Sequence, residues 1–175
     1  MSSSFTYKDE ADRCYGVAGM AIGLVVFDGE DLLTAIDIDN DPHTMVEMTD
    51  EFFFIGSPSV SAKATWEKLV RSFTLTTAMT ISNVMCRSII KEGKLIQNHV
   101  KRTLHDLVID EGREACSLGE DEVERIFEKE YSYLQRIFNH IGVQSVAHDF
   151  ADSLASHRRM TRGDVLEHLR SLSML

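Results

Sequence analysis

Proline is nearly absent from this chain, with two in 175 residues, and glycine is modest at ten. Collagen-like and low-complexity disordered chains need far more of both and are excluded. Cysteine is scarce too. Cys14, Cys86 and Cys116 are odd in number, widely spaced and lack any Cys-x-x-Cys, which argues against a disulfide framework and against a cysteine-rich zinc site. Long hydrophobic runs are missing: the longest, Val17 to Phe27, has 11 residues, where a bilayer span needs about 20. It follows Asp9, Glu10 and Asp12 rather than a basic stretch, so it does not read as an export signal. We expect no membrane association and a cytoplasmic location. Positive charge is the last thing in short supply. Lys and Arg total 18 against 28 Asp and Glu, for a net charge of −10. Affinity for nucleic acid rests on neutralising phosphates, so a free polyanion is not the expected partner.

What is present is a globular composition, 43% hydrophobic and 26% charged. A chain of this length buries about 70% of its unfolded surface without staples. The charge is blocked. Residues 1–60 hold 12 acids and 2 bases; 61–102 hold 8 bases and 2 acids; 103–130 hold 10 acids and 3 bases; 131–175 are nearly balanced. We expect the basic block to lie between the acidic ones and neutralise them. The functional alternative is an acidic N-terminal third that faces a basic partner.

Periodicity assigns most of the chain. Tyr7, Ala11, Cys14, Ala18, Ile22 and Val25 recur every three or four residues and predict a helix over 7–26, with Thr6 and Asp9 as its start. A strand over Ala21–Phe27, turning at Asp28-Gly29, competes with that reading. Gly16, Gly19 and Gly23 form a second stripe. Each glycine costs about 1 kcal/mol in a helix, so the stripe implies close approach of another backbone. Leu32, Thr34, Ile36 and Ile38 alternate with Asp37 and Asp39 as a half-buried strand, and 45–55 reads as its hairpin partner. Five helices follow, over 61–91, 94–115, about 117–141, 144–157 and from Thr161 onward. Trp66 and Ile141 belong to their expected apolar stripes. Ser117 with Glu120 reads as one capping pair, Thr161 with Asp164 as another, and Gly142 as a terminator.

Several constellations are weighed and set aside. Asp37-x-Asp39-x-Asp41 opens like a calcium loop, but Pro42 and Met48 stand where that loop needs Gly and Glu. Glu111-x-x-Glu114 and Glu47-x-x-Asp50 occur in the reverse of the order used by helical nucleotide pyrophosphohydrolases. No phosphate loop, dinucleotide fingerprint or nucleophile elbow is present. The pair of helices after Gln144 carries Arg158, Arg159, Arg162 and Arg170, balanced by Asp149, Asp152, Asp164 and Glu167, where a DNA reader would be clearly basic. His105-Asp106 and His148-Asp149 each place imidazole beside carboxylate. The first resembles the metal-binding pair of the all-helical HD-domain phosphohydrolases. That resemblance implies divalent metal held with His43 or His99 upstream and Asp149 or Asp152 downstream, activating water on a phosphoryl group.

The expected fold is mainly α: an irregular bundle of about six helices with a small β-hairpin near the N-terminal third. It forms a single domain over 1–175, with 1–58 packed against 59–175. The expected function is a non-enzymatic protein-interaction or structural module, with no catalytic set, cofactor or metal assigned. Its candidate interface is Phe52, Phe53, Phe54 and Ile55, an apolar segment beside acidic residues, used for a protein partner or for self-association. The alternative is a metal-dependent phosphohydrolase using His105 and Asp106.

Overall fold

A computed structural model describes residues 6–53 and 61–174. The first helix, α1 (Glu10–Val26), is the spine. Asp9 caps it, its carboxylate accepting from the Asp12 amide at 2.7 Å. The start therefore lies three residues beyond the expected Thr6. Val17, Ala18, Ala21, Ile22 and Leu24 are fully buried, as an apolar helix with no wet face must be. Ala21–Val26 is helical, so the competing strand is not formed.

The long helix α3 (Ala62–Met85) continues into a π-helical turn, Cys86–Lys91, and lies antiparallel to α1. The glycine stripe faces it. A Cβ at Gly19 would strike the Ser82 carbonyl and Cys86, and one at Gly23 would strike Ser82 Oγ. The close approach read from the sequence is thus present. Trp66, expected in the core, is instead exposed near the start of α3. The C-terminal half adds α4 (Asn98–Cys116), α5 (Glu120–Asn139) and α6 (Ile141–His157). Beside α1 packs α6, and α5 packs on both α3 and α4. Among the described residues no helix is long and apolar enough to cross a membrane.

Two helix boundaries differ from expectation. Ser117 is the left-handed residue that ends α4, with φ 51°. The capping pair of α5 is Gly119 and Glu122, whose carboxylate accepts from the Gly119 amide at 3.1 Å. At the far end His140 separates α5 from α6. Gly142 therefore lies inside α6, and Ile141 projects into solvent. The final helix, α7 (Arg162–His168), opens on the Thr161–Asp164 box as expected, with the reciprocal bonds at 2.9 and 3.3 Å.

The hairpin pairs β1 (Leu33–Asp37) with β2 (Val46–Met48). A bulge between Leu33 and Ala35 breaks the expected alternation. Leu33, Ala35 and Ile36 are all buried while Thr34 faces water. A third strand, β3 (Arg159–Thr161), was not expected and completes an antiparallel sheet of order β2-β1-β3. Residues 50–53 correct the expected second strand. They form a short helix, α2 (Asp50–Phe53), because the ladder with β1 stops at Met48.

Three carboxylates of the N-terminal third meet the basic block. Arg87 and Lys91 hold Asp12, Lys91 also reaches Asp9, and Arg71 pairs with Asp31. Others meet β3 and its flank: Arg159 bridges Asp37 and Glu47, and Arg158 bridges Asp39 and Glu10. Neutralisation by the basic block is therefore only half of the arrangement, since the C-terminal arginines supply the rest.

Candidate functional site

The chain reverses after β1 through Asp39–Thr44, where the Thr44 amide donates to Asp41 O at 2.8 Å. It returns as β2, then folds into α2. The Thr49 amide donates to Leu32 O at 2.8 Å, and Ser72 Oγ of α3 donates to Phe52 O at 3.0 Å. These bonds hold α2 on α3, with Phe52 half-buried against the core and Phe53 exposed. Phe52 and Phe53 stack edge to face at 5.1 Å.

Across from this corner stands α4. Its apolar face buries Leu104, Val108, Ile109 and Cys116, and Gly112 lets Val123 and Phe73 come close. The other face is polar, and its last turns carry Asp110, Glu111 and Glu114. Between α4 and the hairpin corner lies a cleft of about 660 Å³. Its apolar lining is Met20, Val46, Met48, Met79 and Leu107, with Phe52 and Phe53 at one side and the three carboxylates at the other. Phe53 is 65% exposed. Burial, with Glu114 nearby, pushes the Glu111 carboxyl above its ordinary value.

This arrangement can do two things chemically. Its methionines are unbranched and polarisable, so they fit apolar groups of varied shape. Its carboxylates attract cations and, among the described residues, no Lys or Arg lines the cleft.

The structure brings together part of the expected interface. Phe52 is half-buried and Phe53 exposed, both on the cleft, while Phe54 and Ile55 lie outside the described residues. The segment is helical rather than extended, so Phe52 and Phe53 diverge by about 100° around an axis instead of pointing to opposite faces. The acidic side of the cleft comes from α4, not from the N-terminal third. The Glu111-x-x-Glu114 spacing was visible in the sequence, but its place opposite Phe53 depends on how α4 packs.

The histidines are dispersed. His105 sits on α4 with its ring edge on Phe127 at 5.2 Å and Nδ1 3.4 Å from Asp106. His148 lies on the α1–α6 seam, where Nδ1 is 2.6 Å from the Tyr15 hydroxyl. His43 lines the cleft, His99 is exposed near the start of α4, and Asp149 and Asp152 are exposed on α6. Among the described residues no three His, Cys, Asp or Glu side chains converge on one point. His105 and Asp106 are therefore not joined there by the upstream and downstream ligands that the phosphohydrolase resemblance implies.

Comparison of the chain with protein-family models, with curated proteins and with solved structures returns no match.

Proposed function

We propose that the protein is a non-enzymatic interaction module and that the cleft between the hairpin corner and α4 receives apolar side chains of a protein partner. The observation that carries this reading is Phe53, 65% exposed at the lip of a cleft floored by Met20, Met48 and Met79. Burying one such ring contributes about 1.5–3 kcal/mol, and aromatic residues beside methionine are enriched where proteins associate. A second copy of this chain is a poorer occupant. It would bring its own carboxylates to the same rim, and the chain as a whole carries −10. The three cysteines are free, buried thiols, which supports a reducing, cytoplasmic setting for the partner.

Site-specific photocrosslinking in the native host tests the reading. A photoreactive phenylalanine at position 53 should yield a discrete heteromeric adduct, and one at the still more exposed Ile141 should not. The adduct should disappear when Leu107→Asp, at a half-buried position of the lining, puts charge into the cleft. An adduct at twice the mass of the chain would overturn the heteromeric reading in favour of self-association. The same adduct from both positions, or none from position 53, would overturn the cleft as the site.

A further inference from the structure

Resting on that reading, we infer that the partner segment is an amphipathic helix carrying Lys or Arg at one-turn spacing beside its apolar anchors. Several carboxylates of this molecule are neutralised across the fold. Asp9, Asp12, Asp31, Asp37, Asp39 and Glu47 all have a cation from elsewhere in the fold. Among the described residues the cleft carboxylates have no ion-pair partner on another element. Asp110 reaches only Arg113 of its own helix, at 4.0 Å. Glu111 and Glu114 have no ion-pair partner among the described residues.

An apolar segment laid in the cleft would strip water from Glu111 and Glu114. Desolvating a carboxylate without a counter-charge is strongly unfavourable, whereas a matched cation offsets it. Burial already disfavours the charge on Glu111, and neighbouring Glu114 adds to this. A ligand that supplies cations relieves both effects. The spacing selects a helix. Positions 110, 111 and 114 make a stripe along α4 about 6 Å long at 1.5 Å per residue. Cations at i and i+3 or i+4 of a second helix have the same spacing. The same period brings apolar anchors onto one face, which is how an amphipathic helix enters a groove. A flexible methionine floor suits anchors of differing size.

The test is a selection of phage-displayed, helix-forming 16-residue peptides on the immobilised full chain, with binders then measured on variants. Glu111→Gln with Glu114→Gln removes charge at partly or fully exposed positions and should leave folding intact, checked by circular dichroism. We expect enriched peptides to carry apolar residues at i and i+3 or i+4, flanked by Lys or Arg one turn apart. They should bind the double variant roughly three- to tenfold more weakly, with a flatter salt dependence. Selection on Glu111→Lys with Glu114→Lys should enrich Asp and Glu instead. Peptides that need Phe53 yet show no basic bias, or that ignore the double variant, would overturn the inference and leave the cleft reading standing. No enrichment, or binders indifferent to Phe53→Asp, would overturn the cleft reading itself.

Discussion

Asp12 and Glu130 are both sealed from water, at 1% and 2% exposure, and the fold treats them in opposite ways. Asp12 sits where α1 meets the π-helical turn after α3. Its Oδ2 accepts from Arg87 Nε at 3.0 Å and from the Lys8 amide at 3.1 Å, and Oδ1 accepts from Lys91 at 3.1 Å. Arg87 in turn lies over the Tyr7 ring. Although burial pulls the other way, these donors hold the Asp12 carboxyl down to about 2. Glu130 sits on the inner face of α5, and among the described residues neither carboxylate oxygen has a hydrogen-bond partner. Burial pushes it up to about 9, against the opposing charge of Lys129. At neutral pH one carboxyl is a fixed anion inside a cationic clamp, and the other holds its proton. The comparison teaches that depth of burial does not set charge. The donors that the surrounding elements bring do.

The largest effect that would break this comparison is loss of the clamp. Asp12→Ala leaves Arg87 and Lys91 facing each other with little solvent, since each is less than a fifth exposed. We expect a loss of about 3 kcal/mol, measured by urea unfolding. Glu130→Met should do the reverse. It removes an unsatisfied buried group and keeps the side-chain length, for a gain of about 1–3 kcal/mol.

Their pH profiles sharpen the contrast. The Asp12 contribution is complete above an unfolded value near 3.8 and is lost as pH falls toward about 2. The Glu130 carboxyl runs the other way. Its protonated form is favoured by the fold, so its contribution is complete below about 4.5 and is lost as pH rises toward about 9. Melting temperature followed across that range should therefore decline on the alkaline side in the native chain, and Glu130→Met should flatten the decline. A decline unchanged in that variant would assign it to other groups.

The smallest effect separates charge from packing at the same seam. Gly19→Ala gains about 1 kcal/mol of helix propensity but drives a methyl into the Ser82 carbonyl, a backbone group with no room to yield. Overpacking costs about 1–3 kcal/mol, so we expect net destabilisation of about 1 kcal/mol by urea unfolding. Because α1 and α3 are loosened without touching a charge, the acid limb belonging to Asp12 should persist in this variant. Its disappearance would mean that the clamp depends on the glycine seam.

Much of the fold was legible in advance where the signal is local. The helix read over about 117–141, the Thr161–Asp164 box and the glycine stripe of α1 each lie within one element and require only its own period. The site was half legible. Phe52 and Phe53 stand out in any reading of hydrophobicity, and Glu111 and Glu114 stand out as a one-turn pair. Nothing in their spacing places them across one cleft, because that depends on where α4 lands after the connection from the π-helical turn. The strand expected over 45–55 failed at Asp50–Phe53 for a related reason. A run of aromatics suits a strand or a helix equally, and the ladder that would decide ends at Met48.

By itself the sequence determined the helical class, the hairpin at β1 and β2, and the acidic surface, because periodicity, turn residues and charge counts act over a few residues. Tertiary structure alone decided three things. It made a strand of Arg159–Thr161, which exists only because β1 offers a free edge 122 residues earlier, between Asp37 and Arg159. It chose which carboxylates are paired, clamping Asp12 and leaving Glu130, Glu111 and Glu114 with no ion-pair partner among the described residues. And it opened a cleft at Phe53. Each is a contact between distant segments, and such contacts are set by the joint packing of whole elements rather than by the residues on either side.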